Sequence, residues 1–480
     1  MANDLSPILN YHLDTSHQRG KISGRTLNRE EYPVPFKLYR SPKPFHLAHD
    51  LRLPNTSLGK SLDKHPLPKK PNMPGILAAI CNLTAGISQV RRHHDGNVFH
   101  FRTVASAGAL YPAEFYIALQ NVSGMTDGLY HYCPLEHTLT QLRSGYVFGA
   151  LSGTAPIVRF YLTSIFHRSA WKYGPRAYRY CLLDTGHMAE NLLHAARIHG
   201  MPARIDYDFK DNAVNRFLAV DPDQEGCFAV IHSLGCSSQT DVDDTVPPLT
   251  GDLPLFSRAA PTAEPPEGLM TAHKATSSFA RCPAPREASS SLQSTPLPAP
   301  ALEGSVTTAI MKRRSSRNFI PIKANTKNLV DIISYLCHDT PPICSSALQV
   351  GFIASPNSGL TPGYHLIDRD NKSTMLMKSG DLMAASARVC LDQSWLQNAA
   401  LHIVFTADLH ALNNQCGPRA YRYAHLEAGR LGQRLYLAAT SKNLGACGIG
   451  AFFDYEAAEL LSLPFGNSLL YLVAVGPVRK

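Results

Sequence analysis

The heptapeptide Gly174–Tyr180, GPRAYRY, returns unchanged as Gly417–Tyr423, 243 residues later. Carrying that offset forward pairs Leu183 with Leu426, Gly186 with Gly429, Leu192 with Leu435, Phe209 with Phe452 and Asp211 with Asp454. The chain is read as a tandem duplication. Each copy offers a Gly-Pro turn, an Arg/Tyr cluster and a Leu/Ala-rich stretch (182–198 and 426–440) whose apolar residues recur at helical spacing, which predicts a long buried helix. The copies also close alike. CFAVIHSLG ends at Gly235 and LLYLVAVG at Gly476, continuous apolar runs of strand length that stop on glycine. Each half is therefore expected to be a domain with the helix as its core.

Composition narrows the class. At 480 residues the chain is about three times the usual domain, and 44% apolar residues can fill sizeable cores, so disordered and fibrous classes are excluded. The net charge of +9 is modest, and basic residues cluster only at Arg91-Arg92-His93-His94 and Lys312-Arg313-Arg314. This favours an anionic ligand over a nucleic-acid surface. Eleven cysteines without a CxxC pair, behind a start (MANDLSPILN) that lacks a secretory pattern, argue for free thiols and a cytoplasmic protein. No apolar run approaches the ~20 residues of a membrane span.

Taken in order, residues 1–70 read as an arm, rich in His, Pro and Lys, with one short helix at Leu5–His17. Residues 71–240 form the first domain. A helix starts at Gly75, VASAGALYPAEFYIAL (Val104–Leu119) is a small-residue loop feeding a strand, and DGLYHY with HTLTQL make a hairpin pair. Residues 241–303 are expected to be a linker, since 247–303 hold 11 of the 35 prolines and show no apolar period. Residues 304–480 form the second domain, opening on a helix that carries MKRRSSRNF (Met311–Phe319), with IASPNSGLTPGYHLI as a weak echo of the first half's loop.

Three stretches carry candidate chemistry. Arg313, Arg314, Ser315, Ser316 and Arg317 offer forked donors for a phosphate, or form a solvated basic helix start. Ser106, Ala107, Gly108, Ala109 and Leu110 let backbone amides approach a ligand, or make a tight turn. Gly445–Ala451, including Gly448, Ile449, Gly450 and Ala451, strips the backbone of bulk, or ends the long helix at Gly445. The halves differ in a complementary way. The first lacks the Arg/Ser cluster and has PARIDYDF where the second has GACGIGAF, while the second has lost the SAGALYP loop. An internal pseudo-dimer would then keep one composite site from these three stretches and leave its mate degenerate.

Together RRSSRNF, SAGALYPAEFY, DGLYHY, KYGPRAYRY, NLGACGIGAF, LYLVAVG and the early YHLDTSH resemble the nitroreductase superfamily, in its SagB-type branch of thiazoline/oxazoline oxidases. The resemblance implies an α+β fold, two tandem nitroreductase-like domains forming an intramolecular pseudo-dimer, with a mostly antiparallel sheet in each and FMN as cofactor. It implies that the Arg/Ser cluster meets the FMN phosphate and pyrimidine edge, that the small-residue loop lines the ribityl side, and that backbone around Gly450 and Ala451 faces flavin N5. By the same resemblance Lys172 and Tyr173, just before the first GPRAYRY, would be catalytic, taking a proton while hydride passes to N5; they are otherwise ordinary loop residues. Gln415 and Cys416 precede the second copy. The implied function is ping-pong hydride transfer between flavin and a small-molecule or modified-peptide substrate, such as azoline-to-azole oxidation. NAD(P)H-dependent reduction of nitro compounds or quinones is the alternative, and a non-catalytic flavin-binding subunit is a third reading. No leader-peptide-binding domain is expected at either end, and the protein is expected to be a monomer or a homodimer.

Overall fold

The computed structural model describes residues 6–22, 24, 26–39, 44–51, 53–92, 96, 98–148, 154–235, 249, 264–278, 294–338 and 348–479. The chain forms two compact units. The amino-terminal unit takes residues 26–56 and 61–279, and the carboxy-terminal unit takes 1–25, 57–60 and 280–480. The stretch 1–70 is therefore shared out between the two units. Pro7–Asp14 is its helix and belongs with the carboxy-terminal unit, where His12 Nδ1 lies 3.1 Å from the Tyr421 hydroxyl.

Each unit holds a seven-stranded, fully antiparallel sheet. In the amino-terminal unit the spatial order is Phe45–His46, Thr138–Ser144, Gly128–Cys133, Ala113–Gln120, Ile157–Ile165, Glu225–His232, Arg204–Asp206. In the carboxy-terminal unit it is Thr295–Pro296, Ser373–Ser379, Gly363–Asp368, Gln349–Ala354, Leu401–Asp408, Asn467–Gly476, Gly445–Ile449. The central strands are buried on both faces, which is why they read as continuous apolar runs rather than as alternation. The likeness of the two sheets persists to the level of the β-bulge. Pairing shifts between Leu162 and Thr163 in one sheet, and between Phe405 and Thr406, at the 243-residue offset, in the other.

The predicted long helices are present as Ala177–Ile198 and Ala420–Ser441, 22 residues each. Both start earlier than the apolar period suggested, because the Arg/Tyr cluster itself is helical and buried. In the first copy only Arg197 is not buried. Polar side chains inside such a helix must find partners, and Asn191 does so by donating to the Leu83 carbonyl at 3.1 Å, tying the helix to Met73–Ala85.

Four expectations change. The helix before the Arg/Ser cluster is Val306–Lys312, and the cluster beyond it is extended. Gly445–Ile449 is a strand, not a helix-ending turn, because it pairs with Asn467–Gly476. PNSGLTPG joins Gln349–Ala354 to Gly363–Asp368, whereas SAGALYP precedes Ala113–Gln120, so the echo is not topological. Within the expected linker, Glu267–Thr276 is a helix that buries Leu269, Ala272, His273 and Thr276, with His273 packed on Phe166 and Phe228. Residues 250–263 and 279–293 of that linker lie outside the described residues.

Seven described cysteines are free and buried, as expected, but Cys416 is disulfide-bonded. Among the described residues no helix is long and apolar enough to cross a membrane.

Candidate active site

The carboxy-terminal unit organises the Arg/Ser cluster around one tyrosine. From Arg313 the chain runs extended beside the edge strand Gly445–Ile449. The Ser316 amide donates to the Ala446 carbonyl at 2.9 Å, and further on the Ile320 amide donates to Pro477. In an extended segment alternate side chains share a face. Arg313, Ser315 and Arg317 therefore point one way, toward Tyr436 and Cys447. The Arg313 guanidinium lies 5.5 Å from the Tyr436 ring centroid, the Ser315 hydroxyl is 2.9 Å from the Tyr436 hydroxyl, and the Gly448 amide donates to that same hydroxyl at 2.7 Å. Arg314 turns the other way and donates to the Met311 and Arg313 carbonyls.

Burial pushes the Tyr436 phenol well above its ordinary range. Burial also pushes the Cys447 thiol up to about 11, despite the opposing pull of Arg317, which hydrogen-bonds to it. Both groups stay protonated near neutrality, so neither offsets the charge of Arg313 and Arg317. The strand's glycines have a packing cause. A Cβ on Gly448 would fall on the Tyr471 hydroxyl, and one on Gly445 would crowd Val478 and Ser316. Gly450 and Ala451 follow the strand, half-buried.

The amino-terminal unit brings the small-residue loop and the Lys-Tyr pair together. Gly108 adopts φ 63°, and a Cβ there would lie 2.7 Å from the Tyr173 hydroxyl and 3.4 Å from Lys172 Nζ, so glycine is required by both backbone and space. Lys172 is exposed, with Nζ 5.5 Å from the Tyr173 ring centroid, and Tyr173 packs on Tyr180 at 4.6 Å. The helix that carries the pair, Phe166–Tyr173, is clamped by the arm. Trp171 donates to the Asn28 carbonyl at 2.6 Å, Arg168 Nε donates to Val34, and His167 bonds to Glu31.

The loop's own donors are largely committed inside this unit. The Ser106 hydroxyl donates to Asp184 Oδ2 at 2.6 Å, and the Ala107 amide donates to both carboxylate oxygens at 3.2 Å. The Tyr111 amide donates to Ser106 Oγ, and the Ala109 and Leu110 amides close back on Ser106 and Ala107.

Three features escaped the sequence reading. Asp184 and Tyr436 each anchor a candidate stretch. Asp184 had a signal, since its offset mate is the acidic Glu427, whereas Tyr436 sat unmarked within the helix. The third is a buried network. Lys37 Nζ sits 2.5 Å from Glu225 Oε2 and 2.6 Å from the Tyr116 hydroxyl, and Thr163 also donates to Glu225. Burial opposes the Lys37 charge, but Glu225 and Tyr39 together more than restore it and the ammonium's pKa is raised. Nothing in the Pro-rich arm marked Lys37 beforehand.

The family model for the nitroreductase family matches residues 364–477, which include the Gly445–Ile449 strand and Tyr436. A crystal structure from Anabaena variabilis, of a protein assigned to the nitroreductases, superposes with a TM-score of 0.78 at 25% identity over 98% of this chain and 99% of that one. Over nearly its whole length the chain is thus similar to a nitroreductase-type structure, and residues 364–477 match the nitroreductase family. Among curated relatives, a Methanocaldococcus jannaschii protein assigned to the nitroreductases is 31% identical over 129 residues, 25% of this chain and 65% of that protein. The trifolitoxin-processing protein of Rhizobium leguminosarum is 29% identical over 186 residues, 35% of this chain and 49% of that protein. The chain thus spans less than two thirds of either relative.

FMN is the cofactor that this chain's resemblance to the nitroreductases implies. Its donor set fits such a cofactor, since two guanidiniums and a hydroxyl on one face suit a phosphate dianion.

Proposed function

We propose that this chain is an FMN-dependent oxidoreductase of nitroreductase type, reduced by NAD(P)H and passing electrons to nitro compounds or quinones. The observation that carries this reading is the face formed by Arg313, Ser315 and Arg317 beside Gly445–Ile449. Bound there, FMN would supply two-electron hydride chemistry at N5. Arg313 and Arg317 would hold its phosphate, and Tyr436 would fix the segment that bears them, because its hydroxyl joins Ser315 to Gly448. Gly448, Ile449, Gly450 and Ala451 would present backbone to the ring, and Ser106–Leu110 of the amino-terminal unit would line a flavin as the family resemblance implies. The 31% identity to a protein assigned to the nitroreductases supports the acceptor class.

A second reading, azoline-to-azole oxidation, draws on the meeting of Lys172 and Tyr173 with Gly108 and on the likeness to a trifolitoxin-processing protein. In it Lys172 takes the ring proton and Tyr173 holds or relays it. Assays of wild type and Lys172→Ala separate the two. NAD(P)H-dependent nitro reduction retained within about twofold in the variant supports the first reading. Azoline oxidation by wild type that falls about 10²- to 10⁴-fold in the variant replaces it with the second. Flavin bound tightly without turnover of either substrate contradicts both.

A further inference from the structure

The Ser106–Leu110 loop needs something to hold it. Gly108 (φ 63°), Ala109 (φ 54°) and Tyr111 (φ 48°) place three left-handed residues within four positions, and two of them are not glycine. Such a backbone persists only where its surroundings over-determine it. The Asp184 carboxyl, on the long helix, supplies that hold through the Ser106 hydroxyl and Ala107 amide, and Ser106 passes it on by accepting from Tyr111.

We propose that Asp184 is a latch, a positioning residue that fixes the strained loop while its carboxyl is neutral and lets the loop open when the carboxyl is charged. Its hydrogen-bond partners, Ser106 and Ala107 from the loop, are uncharged, as are Cys181 on its own helix and, behind Cys181, Ser169 of the preceding helix and Ser164 of the central strand. The exposed Lys172 ammonium meets the same loop at Gly108. Burial raises the Asp184 carboxyl to about 7. A neutral acid keeps the loop's contacts, since its carbonyl oxygen accepts from Ala107 and its hydroxyl shares one hydrogen bond with Ser106. A carboxylate accepts from both and is favoured by those bonds, but burial outweighs them, and opening returns it to water. Opening therefore releases a proton and is favoured as pH rises from the solvated carboxyl's ordinary range up to about 7, levelling beyond.

That the loop lines a flavin rests on the function proposed above; the latch itself does not. Amide exchange at Ala107 and Tyr111 in flavin-free protein, corrected for intrinsic chemistry and followed from about pH 5 to about pH 8, reads the opening directly. The wild type is expected to open about tenfold more per pH unit up to about pH 7 and then level off. Asp184→Asn, which mimics the neutral acid, is expected to stay protected and flat with pH, and Asp184→Ala to lose protection in the loop alone. A flat wild-type profile, or a loop that exchanges freely in Asp184→Asn, overturns the latch, and the Asn variant keeps the test intact if the Ala variant does not fold. FMN titrations on the same proteins separate the two ideas. Affinity that weakens with loop opening in wild type but not in Asp184→Asn supports both. Affinity indifferent to a loop that does open contradicts the flavin-lining role and leaves the latch standing.

Discussion

The two long helices both continue a GPRAYRY repeat, span 22 residues each and carry an acid at the same place, Asp184 in one and Glu427 in the other. They put that acid to different work. Three residues on, the first copy has His187 and the second Arg430, and Glu427 takes Arg430 as its partner at 2.9 Å within the helix. Asp184 instead reaches out of its helix to the Ser106–Leu110 loop, where the partners that bond to it are uncharged, and burial lifts its pKa. One duplicated position has become a structural ion pair in one unit and a loop anchor in the other. The same divergence separates Lys172-Tyr173 from Gln415-Cys416 and sets the Arg/Ser cluster apart in the carboxy-terminal unit. The two scaffolds match down to a bulge, and the chemistry differs at individual side chains.

The contrast can be broken most forcefully at the buried network. Glu225→Ala strands the Lys37 ammonium and should cost about 3–5 kcal/mol in chemical unfolding of the amino-terminal unit. The residue in its place in the other sheet, Asn467 opposite Asp408, is partly exposed, and Asn467→Ala should cost no more than about 1 kcal/mol. Equal effects at the two positions would mean the units are stabilised alike.

The paired acids should respond with opposite sign. Asp184 has a folded-state pKa above its unfolded one, so its contribution to stability is present below about pH 4 and is lost as pH rises to about 7. At most this is on the order of 4 kcal/mol. Asp184→Asn should therefore be more stable than wild type above about pH 7, with the difference vanishing toward about pH 4. Glu427→Gln removes the charge that Arg430 pairs with in a buried setting and should destabilise by about 2–3 kcal/mol at neutral pH. Thermal melts across pH check both.

Gly108→Ala is the smallest of these changes. The left-handed backbone and the Tyr173 hydroxyl together should cost about 1–2 kcal/mol, and adding Tyr173→Ala should recover the steric share and leave the backbone share. No recovery in the double variant would remove Tyr173 as the loop's neighbour.

Much of the fold was legible because the repeat imposed its own alignment and helix and strand periods agreed with it. The long helices, the hairpin Gly128–Cys133 with Thr138–Ser144 and the terminal strands follow from local pattern. What was not legible depends on distant partners. Arg313–Phe319 reads as helix from its neighbours, yet its backbone is claimed by Ala446 and Pro477, more than a hundred residues away. Glu267–Thr276 does carry an apolar period, with Leu269, Ala272, His273 and Thr276 at i, i+3, i+4 and i+7, but the surrounding prolines hid it. Within the candidate site, the cationic and small-residue stretches stood out by composition. The residues that hold them in place, Asp184 and Tyr436, could be recognised only once the loop and strand had been brought to the helices.

The most direct test of the flavin-binding face is FMN stoichiometry and affinity in wild type and the Arg313→Ala/Arg317→Ala variant, with heat-released flavin quantified against protein. The expected result is about one FMN per wild-type chain and a loss of affinity of about 10²-fold or more in the variant, since each guanidinium–phosphate contact is worth roughly 1.5–3 kcal/mol. FMN bound equally well by the folded variant, or not bound by the wild type at all, would contradict the assignment of Arg313, Ser315 and Arg317 as the phosphate-binding face.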